Sequence, residues 1–173
     1  MKHIALSALT IVLGLASGAA LAQAAPDDAQ IAGIVVTANT VDIDAGKLAQ
    51  QRSGNDKVKQ FARQMVTDHT GVNKQASALV DKLKVKPEES ATSKSLKDAG
   101  AANMSKLKAL KGRDFDKAYI ANEASYHQTV IDALDGTLIP NAKNSELKDL
   151  LVKVRPAFVA HLEHAKQLQA SMQ

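Results

Sequence analysis

The apolar side chains of this chain recur at alternating spacings of four and three residues, a pattern that places them on one face of an α-helix. One such stripe comprises Val58, Ala62, Met65, His69, Val72, Ala76, Leu79 and Leu83. Another comprises Leu147, Leu151, Val154, Phe158, His161, Ala165, Leu168 and Met172. No segment shows the period of two, repeated over several strands, that a sheet requires. The sequence therefore predicts an all-α protein.

Residues that end helices divide this pattern into four long helices. They are predicted over residues 31–52, from a cap at Asn55 or Asp56 until Pro87 closes the helix, from a cap at Asp114 to about Leu138, and from Ser145 to about Met172. Pro87 and Pro140 cannot continue a helix, because proline lacks the amide hydrogen and its ring clashes with the preceding turn. Pro156 lies inside the fourth predicted helix and is expected to kink it.

A long connection, residues 88–112, separates the second predicted helix from the third. Within it, Leu96, Leu107 and Leu110 indicate a short, weakly amphipathic helix that Gly112 ends. Two short turns and one long crossover are typical of ferritin-like bundles. The predicted fold is therefore a ferritin-like four-helix bundle, with a long crossover between helices 2 and 3 that contains a short helix.

The N-terminal residues have the features of a secretory signal peptide. Lys2 precedes an apolar run over residues 4–15, and the cleavage-like Ala20-Leu21-Ala22 follows. The run is shorter than the ~20 apolar residues of a membrane-spanning helix. We therefore expect a signal peptide at residues 1–22, a flexible lead-in at 23–30, one bundle domain at 31–173, and a periplasmic location with no transmembrane segment after cleavage.

The composition argues against several classes of protein. The chain has no cysteine, so disulfides, thiolate metal ligands and cysteine nucleophiles are excluded. Its formal net charge of +4 arises from Lys and Arg interleaved with Asp and Glu, and only 3% of its residues are aromatic. Nucleic-acid-binding proteins combine a basic patch with a recognisable binding motif or aromatic stacking platforms. No nucleic-acid partner is expected.

Three of the predicted helices carry a histidine on or beside the apolar stripe: His69, His127 and His161. An imidazole buried without partners costs about 2 kcal/mol or more, so these rings must find partners in the interior. Each lies near the middle of its helix, as does Asp42 on the first one, and Glu123 lies one turn from His127. Because neighbouring helices of similar length meet at their middles, these groups are expected to share one layer of the bundle.

Two interpretations of this layer remain open. In the first, a single divalent metal ion, such as zinc, iron, manganese or copper, binds to His69, His127, His161 and Asp42, with Glu123 in reserve, because neutral imidazoles and carboxylates are ligands for these metals. In the second, the layer is a metal-free hydrogen-bonded network completed by Tyr119, Tyr126 or Asn39. Asp68 points about 100° away from His69 on its helix, so it is interpreted as an ion-pair partner.

No catalytic motif accompanies these residues. The sequence contains no nucleophile elbow, no phosphate-binding glycine loop and no His-Glu-x-x-His motif. The Glu-x-x-His pairs of di-iron bundles are also missing, since Glu123 and His127 are four residues apart. The sequence favours a protein that binds and protects over an enzyme. The alternative is a metal-free structural or interaction module of the periplasm that contacts another envelope protein.

Several segments together resemble a known family. They are Asn39-Thr-Val-Asp42-Ile-Asp44-Ala-Gly46, Phe61-Ala-Arg-Gln-Met65-Val-Thr-Asp68-His69, Phe115-Asp-Lys-Ala-Tyr119 with His127, and Pro156 with His161-Leu162. In their order and spacing they resemble the bacterial secreted family known as domain of unknown function 4142, over about residues 31–170. The resemblance implies a ferritin-like bundle exported to the periplasm, often labelled an outer membrane protein, with no assigned activity. The family usually has Glu at the position of Asp42, and commonly no acidic residue at that of Glu123.

Overall fold

The computed structural model describes residues 25–172, and every regular element in that part of the chain is helical. The helices are α1 Asp28–Arg52, α2 Asp56–Leu83, α3 Ala91–Ala109, α4 Gly112–Ala133, α5 Ile139–Asn141 and α6 Ser145–Ser171, with a π-helical turn at Leu134–Leu138 between α4 and α5. The all-α prediction and the ferritin-like four-helix bundle are confirmed. The signal peptide predicted at residues 1–22 lies outside the described residues.

The bundle consists of two helical pairs. α1 packs along α2 and α4 packs along α6, while α2 contacts α6 and α1 contacts α4 across the bundle. The crossover helix α3 lies mainly on α1, and its buried residues within the described chain are only Ser93, Gly100 and Leu107. α3 therefore covers one side of the bundle rather than contributing to its centre.

Side-chain caps determine where several of these helices begin. Asp27 and Gln30 form a reciprocal capping box at the start of α1, so this helix begins three residues before its predicted start. The Asn55 side chain accepts hydrogen bonds from the first amides of α2, as predicted. The Asp28 carboxylate accepts from the amides of Lys143 and Asn144 at 2.8 and 2.9 Å, which ties α1 to the start of α6.

The crossover differs from its prediction in length and in the role of Gly112. α3 spans 19 residues, because Ser90 and Ser93 form a capping box that starts the helix early. Gly112 does not end this helix: α3 stops at Ala109, and Gly112 begins α4 with a positive φ of 54°. Glycine adopts this conformation without steric cost. Asp114, the predicted cap, lies instead in the first turn of α4.

Both prolines of the later helices lie within helical elements, and the prediction that Pro140 cannot continue a helix is wrong. Pro156 does not interrupt α6, which continues from Ser145 to Ser171. It is exposed, where water can solvate the carbonyl that lacks its amide partner. Pro140 lies inside the short α5 at one of its first two positions, where a missing amide hydrogen costs little.

The interior comprises two apolar clusters with polar groups between them. The first includes Ile31, Val72, Val130, Leu151 and Phe158, and the second includes Ala45, Met65, Phe115, Ile120 and Ala165. Along α1, α2 and α4 the sequence passes from one cluster to the other at Asp42, at His69 and over the turn from Glu123 to His127. Along α6 it does so shortly after His161, between Leu162 and Ala165. The polar layer predicted from the sequence is therefore an interior layer of the bundle.

The backbone of Glu88 approaches α1 closely at Gly33, and substitutions at glycine can test this contact. A methyl group at Gly33 would collide with the backbone carbonyl of Glu88, whose amide donates to the Ala29 carbonyl at 2.9 Å, whereas nothing lies within 4 Å of the equivalent position at Gly71. We expect Gly33→Ala to lower the free energy of unfolding by about 1 to 3 kcal/mol, and Gly71→Ala to raise it by about 1 kcal/mol, as measured by urea denaturation. Equal stabilisation by both variants would contradict the close approach at Gly33.

Candidate metal centre

Three helices bring a histidine each to the polar layer. His69 of α2, His127 of α4 and His161 of α6 are at most 2% exposed, and each has a ring nitrogen within 4.8 Å of one from each of the other two. Asp42 of α1 and Glu123 of α4 are both 1% exposed, and with His127 they form a second group of the same compactness. The structure thus places all five candidate residues in one buried cluster.

The tautomer of His69 follows from its hydrogen bond to Asn39. The Nδ1 atom of His69 lies 2.7 Å from the Asn39 side-chain oxygen. The Asn39 nitrogen donates to the Val35 carbonyl at 2.8 Å, so the amide oxygen must face the ring. Nδ1 of His69 therefore carries a hydrogen, and Nε2 faces the cluster. There, Nε2 lies 2.6 Å from Oδ2 of Asp42.

His127 is oriented in the same way by its own helix. Its Nδ1 donates to the carbonyl of Glu123 one turn earlier, at 3.0 Å. Its Nε2 lies 3.4 Å from Nε2 of His69 and 3.6 Å from Oδ2 of Asp42. When neither Nε2 atom carries a hydrogen, two imidazole lone pairs and a carboxylate oxygen face one another. Since all three are hydrogen-bond acceptors in this state, a cation, either a proton or a metal ion, must lie among them.

His161 reaches the cluster from the surface side. Its Nε2 lies 2.9 Å from Oδ2 of Asp68, whose side chain is 41% exposed. Its Nδ1 is buried and has no hydrogen-bond partner among the described residues. When Nε2 donates to Asp68, the lone pair of Nδ1 is free. Asp68 thus pairs with His161, in agreement with its interpretation as an ion-pair partner.

Burial favours the neutral form of two of these imidazoles. It lowers the pKa of His127 to about 4, because a charged ring loses its hydration inside the bundle and Asp42 only partly compensates. Burial also lowers the pKa of His161, despite the opposing hydrogen bond to Asp68. Both rings are therefore neutral at neutral pH, which is the form that binds a metal ion.

The two carboxyl groups of the layer differ in charge. Burial alone would raise the pKa of Asp42, but its interactions with His69 bring that pKa below the usual value. The pKa of Glu123 is raised well above its usual value by burial and by the neighbouring negative charge of Asp42. The neutral form of Glu123 is therefore favoured, and Asp42 carries the negative charge of the pair.

Several polar atoms in the layer lack a well-aligned partner within the described chain. They are Oδ1 and Oδ2 of Asp42, Oε2 of Glu123 and Nδ1 of His161. Although Oδ2 of Asp42 lies close to Nε2 of His69, the contact lacks hydrogen-bond alignment. Buried polar atoms are rarely left without partners. Such a group of acceptors is the arrangement expected where a cation binds.

The metal-free interpretation accounts for part of the surroundings. In the metal-free interpretation Asn39 belongs to the hydrogen-bonded network, and its side chain does form a hydrogen bond with His69. The Tyr126 hydroxyl donates to the Ala38 carbonyl at 2.9 Å instead, and the Tyr119 hydroxyl has no partner within the described chain. The orienting roles of Asn39 and Asp68 were not predicted from the sequence. For Asn39 a signal exists, since it lies three residues before Asp42 on the same face of α1; for Asp68, which bonds to His161 of another helix, no local signal exists.

The unequal charges of the two carboxyl groups can be tested by replacing each with its amide. Because Glu123 is neutral, we expect Glu123→Gln to change the free energy of unfolding by less than about 1 kcal/mol at neutral pH. Asp42→Asn breaks the buried pair that the Asp42 carboxylate forms with His69 and should cost about 3 kcal/mol. Urea denaturation in EDTA measures both, and an infrared carboxylic-acid band lost in Glu123→Gln identifies the protonated group. A larger loss in Glu123→Gln than in Asp42→Asn would contradict the assignment.

Comparisons with known proteins agree with this architecture. A family model described as domain of unknown function (DUF4142) matches residues 14–168, whereas no curated protein matches the chain significantly. A crystal structure of a DUF305 protein from Streptomyces coelicolor, described as secreted, aligns with a TM-score of 0.70 at 13% identity and covers 83% of this chain and 91% of its own. At that identity the likeness concerns the fold alone. The family match confirms the resemblance seen in the sequence: the chain belongs to the DUF4142 family.

Proposed function

We propose that this protein binds a single divalent transition-metal ion in its polar layer and that it sequesters the ion rather than using it for catalysis. The observation that carries the proposal is the convergence of His69, His127 and Asp42, whose Nε2 and Oδ2 atoms lie 2.6 to 3.6 Å apart without a hydrogen-bonding pattern that satisfies them. His161 would supply a further nitrogen. Glu123, in its neutral form, would lie beside the ion and next to Asp42.

The donor set suits such a metal. Imidazole nitrogens with one carboxylate are typical ligands of zinc, iron, manganese and copper. In many metal sites each ligating histidine donates its other nitrogen to a carbonyl, amide or carboxylate, which sets the tautomer and the ring orientation. Here each histidine has such an acceptor: His69 the Asn39 side chain, His127 the Glu123 carbonyl, and His161 the Asp68 carboxylate.

The same ligand set favours storage or protection over turnover. Catalytic zinc sites commonly use three protein ligands and leave a position for water or substrate. Three histidines and Asp42 would supply a full tetrahedral set, and all four are at most 2% exposed. The ion would therefore have no open position facing solvent.

The periplasm is the proposed location. The N-terminal sequence has the features of a signal peptide, and the structurally similar DUF305 protein is described as secreted. None of the helices in the described part of the chain has the length and apolar character needed to cross a membrane. An envelope protein partner is compatible with this location.

Metal binding can be measured directly, with a histidine outside the layer as the control. Protein purified without an affinity tag is expected to retain about one equivalent of metal in elemental analysis, and His69→Gln to weaken binding at least ~100-fold in calorimetric titration, because a ligand is lost. His164 is half-buried and contacts Phe61 edge-on, with ring centroids 5.1 Å apart, so His164→Gln should bind normally. If the folded protein binds none of zinc, copper, iron or manganese, the layer is a metal-free structural network.

The orienting role of Asn39 gives a second test. We expect Asn39→Leu, which removes the acceptor for His69 Nδ1, to weaken metal binding about 10- to 100-fold. Thr40 is its exposed neighbour on α1, and its hydroxyl donates to the Val36 carbonyl and accepts a long hydrogen bond of 3.4 Å from Asn73 of α2, outside the polar layer. Thr40→Val should leave affinity unchanged in the same titration. An Asn39→Leu protein of normal affinity would contradict the assigned tautomer.

A further inference from the structure

An apolar cavity lies in the first cluster, beside the polar layer. Its volume is about 100 Å³, and residues of α1, α2, α3, α4, α6 and the π-helical turn line it. Its walls include Ala38, Leu96, Val130 and Phe158, of which Ala38, Val130 and Phe158 are buried and Leu96 is half-buried. Close-packed interiors contain few voids larger than a water molecule, so a cavity of this size is a distinct feature of the bundle.

The inner part of this cavity offers little to a polar molecule. The polar residue that lines the inner part is Asn39. Its side-chain nitrogen already donates to the Val35 carbonyl, and its side-chain oxygen already accepts from the His69 ring. A buried water molecule needs two to four polar partners, whereas apolar cavities of comparable size remain dry and take up benzene or xenon. The cavity is therefore suited to an uncharged, apolar occupant.

The cavity also has an outer end. Thr92, at the start of α3, and Thr129, on α4, line it and are both exposed. The hydroxyl of Thr129 donates to the Ser125 carbonyl of its own helix at 3.0 Å, so it is not available to a ligand. A small apolar molecule could enter between α3 and α4 without displacing buried residues of the polar layer.

The inner end touches the side chains that hold the layer in place. Asn39 accepts the His69 Nδ1 hydrogen bond at 2.7 Å. The Phe158 ring centroid lies 5.1 Å from that of His69 and 5.9 Å from that of His127. An occupant of the cavity would thus contact the immediate neighbours of two imidazoles in the layer.

We propose that this cavity is a binding site for one small, uncharged apolar molecule, of the size of a dissolved gas or a short hydrocarbon. The proposal does not depend on the metal site, because the walls that define the cavity are apolar side chains of the folded bundle. Asn39 and Phe158 line the cavity and also contact His69, so a bound molecule would be separated from the polar layer by a single side chain.

Xenon, as the gas-sized probe, and benzene, as the hydrocarbon-sized probe, test this site in the metal-free full chain. Titration followed by methyl and histidine-ring NMR should give saturable shifts at Ala38 and Val130 and a smaller shift at His69. Methyl groups of the second apolar cluster, such as Val58, should not shift. Saturation with either probe supports the site and identifies the size of its occupant. Linear shifts spread over both clusters, with both probes, would overturn it.

A pair of alanines on α4 provides matched variants. Ala133 lines the cavity, whereas Ala118 packs against the second cluster, and both are half-buried. We expect Ala133→Leu to fill the cavity and abolish saturable xenon binding, and Ala118→Leu to retain it. If Ala133→Leu fails to fold, Ala38→Val narrows the inner end and should have the same effect. Undiminished xenon binding in a folded cavity-filling variant would refute the site.

Discussion

The negative charge of Asp42 is the interaction on which the interior of this protein depends. A carboxylate moved out of water loses several kcal/mol of hydration that must be recovered from its surroundings. No lysine or arginine of the described chain pairs with Asp42, whose close neighbours are His69, His127 and the protonated Glu123. The bundle therefore stabilises this charge with groups that can share a proton or a metal ion.

The layer is supported by one contact within a helix and by several contacts between helices. The Glu123 carbonyl lies one turn before His127, and Asn39 and Asp42 are three residues apart on α1. Asp68 directly precedes His69 on α2 and reaches across to His161 on α6. Because helical geometry sets these spacings, the positions of the orienting groups follow once each helix is buried on its correct face.

The sequence predicted the parts of this structure that depend on periodicity. The apolar stripe of the fourth predicted helix, from Leu147 to Met172, is buried at every one of its positions, and His161 lies within it as expected. Convergence of the histidines followed from their equal depth along helices of similar length.

Features that depend on local geometry could not be predicted in this way. The starts of α3 and α4 depend on the Ser90–Ser93 box and on the positive φ of Gly112, which periodicity does not register. Likewise, which nitrogen of His69 faces the layer depends on the orientation of one amide group, that of Asn39. The division of charge between Asp42 and Glu123 arises from their proximity across two helices, which no local motif encodes.

The polar layer between the two apolar clusters determines how the helices are aligned along the bundle axis. Alternating alanine, valine and leucine stripes would pack nearly as well after one helix slid along another by a full turn, about 5.4 Å. Such a slide would move His69 away from Asp42 and press an imidazole against hydrocarbon on one side. The layer therefore fixes the relative heights of α1, α2, α4 and α6, so this sequence has one vertical alignment where an entirely apolar interior would tolerate several.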